Sequence, residues 1–211
     1  MIESQKGNVV LVPGIVRLEH FQQIWLVKQG ILDEECTGFF TPIAIQASDA
    51  RIELLILQDR VQIASKNSEV ASGLAEAADT MKKLVSVAGS AIAPLRGIGM
   101  NFQATLTGSE VGPQFVKDTF FQEQLFDEQT GTLSNLSFSA TQELDFGVVT
   151  TNVSCARHSE TQQLGLVLDI NCHSEASTYA EMNSHLEKLD QFISFCTKRC
   201  GQMEARLRAQ Q

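Results

Sequence analysis

The chain has 211 residues, 43% hydrophobic and 19% charged, with a formal net charge of -9. This length and apolar share describe a globular chain of one large domain or two small ones and exclude a disordered one, which lacks the apolar surface to offset ordering entropy. The acidic balance, with a pI of about 4.9, argues against a general nucleic-acid binder, because phosphate binding requires a positive field.

Val9–Val12 is a short apolar run closed by Pro13-Gly14, the pattern of a strand and turn. Arg17 to Lys28 carries Leu18, Phe21, Trp25 and Leu26 at helical spacing, with Gly30 placed to end the helix. Three strands follow at Phe39–Ala47, Arg51–Leu57 and Arg60–Ser65, the last two joined by a tight turn at Gln58-Asp59. Asn67 or Ser68 is the expected cap of a long helix reaching about Ser90. Its inner face is Val70, Leu74, Ala77, Met81, Leu84 and Ala88, and Pro94 prevents continuation.

Leu95 to Leu106 is the clearest strand, with Ile98, Met100, Phe102, Ala104 and Leu106 on one face and Asn101, Gln103 and Thr105 on the other. Gly112-Pro113 opens a short apolar helix to about Phe126 that contains Phe115, Phe120, Phe121 and Leu125. Strands are expected at Thr132–Thr141, Leu144–Arg157 and Gln163–His173. Thr178-Tyr179-Ala180-Glu181 is a capping box that starts a helix to about Leu207.

The order strand, helix, three strands, helix occurs twice. The expected fold is therefore α+β, with two similar β-α-β-β-β-α halves, residues 1–94 and 95–211, in which antiparallel sheet carries long helices on one face. The run Ser48-Asp49, Asp59-Arg60-Val61, the long helix and Leu95-Arg96-Gly97-Ile98-Gly99 resembles an uncharacterised, sporadically distributed prokaryotic protein family. The resemblance covers mainly residues 39–106. It implies the same two strand–helix–three-strand–helix halves and carries no active-site assignment.

The stretch VSCARHSETQQLGLVLDINCH holds Cys155, His158, Cys172 and His173, which invites a metal. As a hairpin turning within Ser159–Gln162, it pairs Cys155 with Leu166, Val153 with Leu168, Thr151 with Ile170 and Val149 with Cys172. That register collects the apolar side chains on one face. It also sets the two cysteines roughly 20 Å apart at about 3.3 Å per residue, too far for a shared ion whose thiolate bonds are about 2.3 Å. No metal or other cofactor is expected. The opposite face gathers Thr150, Asn152, Asp169 and Asn171, joined by Asn101 and Gln103 of the Leu95 strand, as a candidate ligand or partner face.

Along the last helix Met182, Leu186, Leu189, Ile193, Cys196, Cys200, Met203 and Leu207 repeat as a heptad stripe. A helix of about thirty residues spans about 45 Å and outreaches a short strand. Ile193, Cys196, Cys200, Met203 and Leu207 are therefore the expected oligomer or partner contact.

No phosphate-binding GxxxxGK[ST] and no GxSxG elbow occurs. Gly97-Ile98-Gly99 enters a strand instead of leaving one for a helix. Five cysteines, an odd number, suit reduced thiols better than a disulfide framework. The N-terminus lacks a signal-peptide pattern, and no apolar run of about eighteen residues is present, so a soluble cytoplasmic protein is expected. The leading expectation is a non-catalytic protein that binds other protein as an oligomer or complex subunit, with neither nucleic acid nor membrane as partner. A small-ligand binder with a pocket between sheet and helices is the second, and an enzyme without a recognisable motif the third.

Overall fold

The computed structural model describes residues 2–108, 111–120, 136–157 and 164–209. The strands are β1 Ile2–Pro13, β2 Thr37–Phe40, β3 Ala44–Ser48, β4 Ile52–Leu57, β5 Val61–Ser65, β6 Leu95–Thr107, β7 Ser137–Leu144, β8 Gly147–Arg157 and β9 Leu164–Glu175. The α-helices are α1 Gln23–Lys28, α2 Val70–Ala88, α3 Pro113–Phe120, α4 Tyr179–Leu186 and α5 Leu189–Ala209. The strands form one antiparallel sheet in the order β2-β3-β4-β5-β1-β6-β9-β8-β7. The α+β class read from the sequence is what the chain adopts.

The long central pair β1–β6 joins the two ends of the sheet. Its register places Val9 opposite Met100 and Leu11 opposite Ile98, so both strands commit their apolar residues to the same side. On that side α2 packs across β1 and β5, α4 and α5 lie over β6 and β9, and α3 meets β7 and β8. The α2 stripe of Leu74, Ala77, Met81, Leu84 and Ala88 is buried there. Each large apolar side chain so buried contributes roughly 1.5–3 kcal/mol. Gly7 allows the close approach: a Cβ at that position would lie 2.5 Å from Leu74 Cγ.

Local chemistry sets the ends of the elements. Gly30 follows α1 with a φ of +61°, a conformation that favours glycine. The Thr178 hydroxyl accepts from Glu181 N while the Glu181 carboxylate accepts from Thr178 N, the expected capping box. The α2 cap differs from expectation. Glu69, not Asn67 or Ser68, is the N-cap, its carboxylate accepting from Ala71 N and Ser72 N at 3.1 and 2.7 Å. Asn67 instead accepts from Glu69 N and orients the turn before it.

Three continuous elements expected from the sequence are interrupted. Arg17–Lys28 is a 3-10 turn at Leu18–His20 followed by α1, because Gln22 takes an extended ψ of 151°. Phe39–Ala47 divides into β2 and β3, since the Thr41 hydroxyl bonds both Ala44 N and Ala44 O and closes a turn. The elements from β1 through α2 therefore read β-α-β-β-β-β-α, with one strand more than expected. The C-terminal helix breaks into α4 and α5 at Glu187–Lys188, where Lys188 N bonds His185 O. The expected turn at Ser159–Gln162, residues 132–135 and helix residues 121–126 lie outside the described residues.

Candidate functional site

Because the helices described above gather on one side of the sheet, the strands also present a second side. Apart from glycines, none of the residues described there is buried. The register aligns its polar residues in rows. Thr141, Thr150, Asn171, Asn101 and Asn8 are successive partners across β7, β8, β9, β6 and β1. Ser139, Asn152, Asp169, Gln103 and Lys6 form the neighbouring row across the same strands.

All six residues of the expected polar face, Asn101, Gln103, Thr150, Asn152, Asp169 and Asn171, therefore lie together. The rows are internally bonded. Asn171 Nδ2 donates to Asn101 Oδ1, and Asn101 Nδ2 donates to Asn8 Oδ1 at 2.8 Å. Gln103 Nε2 donates to Asp169 Oδ1 at 2.7 Å, and the Thr141 and Thr150 hydroxyls meet at 3.0 Å. Asn101 uses both ends of its amide on its neighbours, while Asn8 and Asn171 each use one. Asn8 Nδ2 and Asn171 Oδ1 are left as a donor and an acceptor for a group outside the described residues.

A third row is more apolar. Val148, His173, Gly99, Val10, Gln62, Leu55, Gln46 and Phe39 follow one another across the sheet from β8 to β2. Phe39 is 77% exposed and Val148 41%. His173 lies over β6, since a Cβ on Gly97 would sit 2.8 Å from its ring Cε1. Asn8 and Lys6 carry no signal of their own in the sequence, and His173 stands out there only as a candidate metal ligand. The alternation of Val9 and Leu11 carries the signal for Asn8, but only once β1 is known to pair with β6.

The heptad stripe turns inward. Cys196, Cys200, Met203 and Leu207 are buried, and Ile193 is partly buried against the same core. Four of the five expected contact residues are thus covered within the chain itself, where α5 meets β6, β9 and α2. Burial pushes the Cys172 and Cys200 thiols up to about 11 and raises Cys196 further. Such thiols stay protonated at neutral pH, the opposite of a reactive cysteine. All five cysteines are free.

The hairpin register is the one read from the sequence: Cys155 opposes Leu166 and Cys172 opposes Val149. The two thiols sit six registers apart, as strand spacing requires. Among the described residues no group of three or more His, Cys, Asp or Glu side chains is placed to hold a metal ion.

Two polar sites lie within the fold. The Asp49 carboxylate accepts from Asp33 N, Arg51 N and Ile52 N at 2.8–2.9 Å and from Arg51 Nη2 at 3.3 Å. Burial opposes its charge, but these donors and the Arg51 cation together hold the carboxyl below its ordinary range. Asp33 in turn pairs with Arg51 at 3.2 Å, tying the segment before β2 to the β3–β4 turn. His185 on α4 is 4% exposed. Burial, with Lys188 and His173 nearby, lowers it to about 4, and its Nε2 has no hydrogen-bond partner among the described residues.

The described residues define an α+β protein whose antiparallel sheet carries its described helices on one side. Compared with known proteins, the sequence matches no family model and no curated protein. Among the described residues no helix is long and apolar enough to cross a membrane.

Proposed function

We propose that this chain is a non-catalytic protein that works by binding other protein through the open face of its sheet, as an oligomer or complex subunit. The observation that carries the reading is that, among the described residues, the helices cover one side of the sheet and leave the bonded rows around Asn101 and Asn171 partly exposed. A nine-stranded face is about 40 Å across at 4.7–4.9 Å per strand. It offers more than the roughly 800 Å² per partner of a standard interface. Side chains already held by their neighbours lose less entropy on docking than free ones.

A small-ligand pocket between sheet and helices draws less support, because core side chains such as Met100, Leu168 and Phe192 fill that space. The reading extends to ancestry. Strands run outward from the centre as β1-β5-β4-β3-β2 on one side and β6-β9-β8-β7 on the other, five against four, and the shared sense of that order supports a duplication. Residues 1–94 and 95–211 are accordingly taken as two copies of one unit, as in the prokaryotic family that residues 39–106 resemble. A cytoplasmic location agrees with the five free thiols.

The test is the Asn101→Arg/Asn171→Arg double variant, which places two cations on the face without touching the core. Light scattering on the natively assembled wild type is expected to report a mass above the 23.2 kDa chain, and on the variant the chain alone. A wild type that stays monomeric, or a variant that assembles unchanged, contradicts the proposal.

A further inference from the structure

The outermost strand β2 pairs, among the described residues, with β3 alone. Its other edge presents backbone N–H and C=O groups to solvent. Natural edge strands are usually guarded by lysine, proline or a bulge. β2, Thr37-Gly38-Phe39-Phe40, is short at four residues but carries no lysine, proline or bulge. It is flanked instead by large exposed apolar side chains, with Phe39 77%, Ile43 72% and Ile24 69% exposed.

A cleft of about 490 Å³ opens beside this edge on the helix side of the sheet, lined by Leu18, Phe21, Phe40, Pro42, Ile45 and Glu19 among others. Phe40 and Ile45 are register partners, so the cleft continues the helix side of β2 and β3. A second hollow of about 490 Å³ lies on the opposite side of the same edge, floored by Phe39, Gln46 and Glu53. A strand laid along β2 sends alternate side chains into these two spaces.

The charged residues that line the two spaces have one sign. Glu19 is the one charged residue lining the first cleft, and Glu53 the one lining the second. Glu34 and Glu35, both exposed, lead into β2. Asp33 beside them is already paired with Arg51.

We propose that β2 is a docking edge for an extended segment of another polypeptide in which apolar and basic residues alternate. The segment adds to the sheet as a further strand. An apolar side chain enters the Leu18–Phe21–Phe40–Ile45 cleft, and lysine or arginine side chains reach Glu19, Glu53 and the Glu34-Glu35 pair. A second copy of this chain fits less well, because Thr37–Phe40 supplies no cation to those acids. The edge stands apart from the Asn101–Asn171 rows, so either surface functions without the other.

The test titrates the full chain with a capped hexapeptide of alternating lysine and valine, followed by amide NMR. Shifts and slowed exchange are expected at Thr37–Phe40 and around Phe21 and Ile45, weakening as salt is raised. The Glu19→Lys/Glu53→Lys variant, altered only at exposed positions, is expected to weaken binding about fivefold or more. Asn101→Arg/Asn171→Arg is expected to bind the peptide as the wild type does. Absence of shifts at millimolar peptide, or shifts confined to other strands, overturns the proposal. So does equal binding of a glutamate–valine hexapeptide, a comparison that needs no variant to fold. β2 shifts that grow with protein concentration alone, with a dimer in light scattering, assign the edge to a second copy and overturn it as well.

Discussion

Asn101 and Asn8 face one another across the central β1–β6 pair, and the Asn101 amide donates to Asn8 Oδ1 at 2.8 Å while its own oxygen accepts from Asn171. One side chain therefore links three strands. Replacing it with alanine removes both bonds from a partly exposed site. The expected loss is about 1 kcal/mol, seen in urea as a lower midpoint with an unchanged m-value. A change below a few tenths of a kcal/mol would show that water replaces the ladder without cost.

Asp49 holds the β3–β4 turn through three backbone donors, and its side chain is 1% exposed. Asp49→Ala strands those donors and leaves Arg51 with Asp33 alone. The expected destabilisation is about 2–3 kcal/mol. Asp49→Asn keeps the shape but supplies one acceptor oxygen in place of two, and should fall between alanine and wild type. Urea unfolding of both variants checks the order.

His185 makes stability depend on pH. Its pKa is about 4 in the folded chain and 6.5 by ordinary reference, so the unfolded state binds more protons between those values. Stability is thus complete above the unfolded value and declines as pH falls from about 6.5 towards 4, by up to about 3 kcal/mol. Asp49, with its lowered pKa, adds a loss in the same direction at lower pH, as its carboxylate protonates. Thermal melts between neutral pH and pH 5 should show a steeper decline for wild type than for His185→Asn. Parallel curves would remove His185 from the account.

The buried thiols should be slow. With Cys172 and Cys200 near 11 and Cys196 higher, their thiolate fractions at mildly alkaline pH fall at least about a hundredfold below that of a free cysteine. Alkylation followed by mass spectrometry is expected to label them only as fast as the protein unfolds. Prompt labelling of Cys196 in the native state would contradict the packing of α5.

The contrast between what the sequence told and what it hid is physical. The β8–β9 register was legible because one face of that hairpin is apolar, so a slip of one residue would expose Val149, Val153, Leu166 and Leu168 together. The six polar-face residues followed from the same alternation. The α4–α5 break was hidden because Leu186 and Leu189 are both buried across it, so the heptad spacing continues while the backbone does not. The stripe likewise could not say which surface covers it, since a partner helix and the chain's own sheet demand the same spacing. The β2–β3 break rests on one Thr41 hydroxyl within a run that otherwise reads as strand. Asn8 became a site residue only through the pairing of β1 with β6, a contact between positions 93 apart.

Hydroxyl-radical footprinting, comparing the natively assembled protein with the isolated chain, tests the binding role of the open face most directly. Protection is predicted on the open side of β8 and β9, at Val148, Val167 and His173, with no change at Met203 or Leu207, which are already buried. Protection confined to the helix-covered side, with the open face equally reactive in both samples, would contradict it.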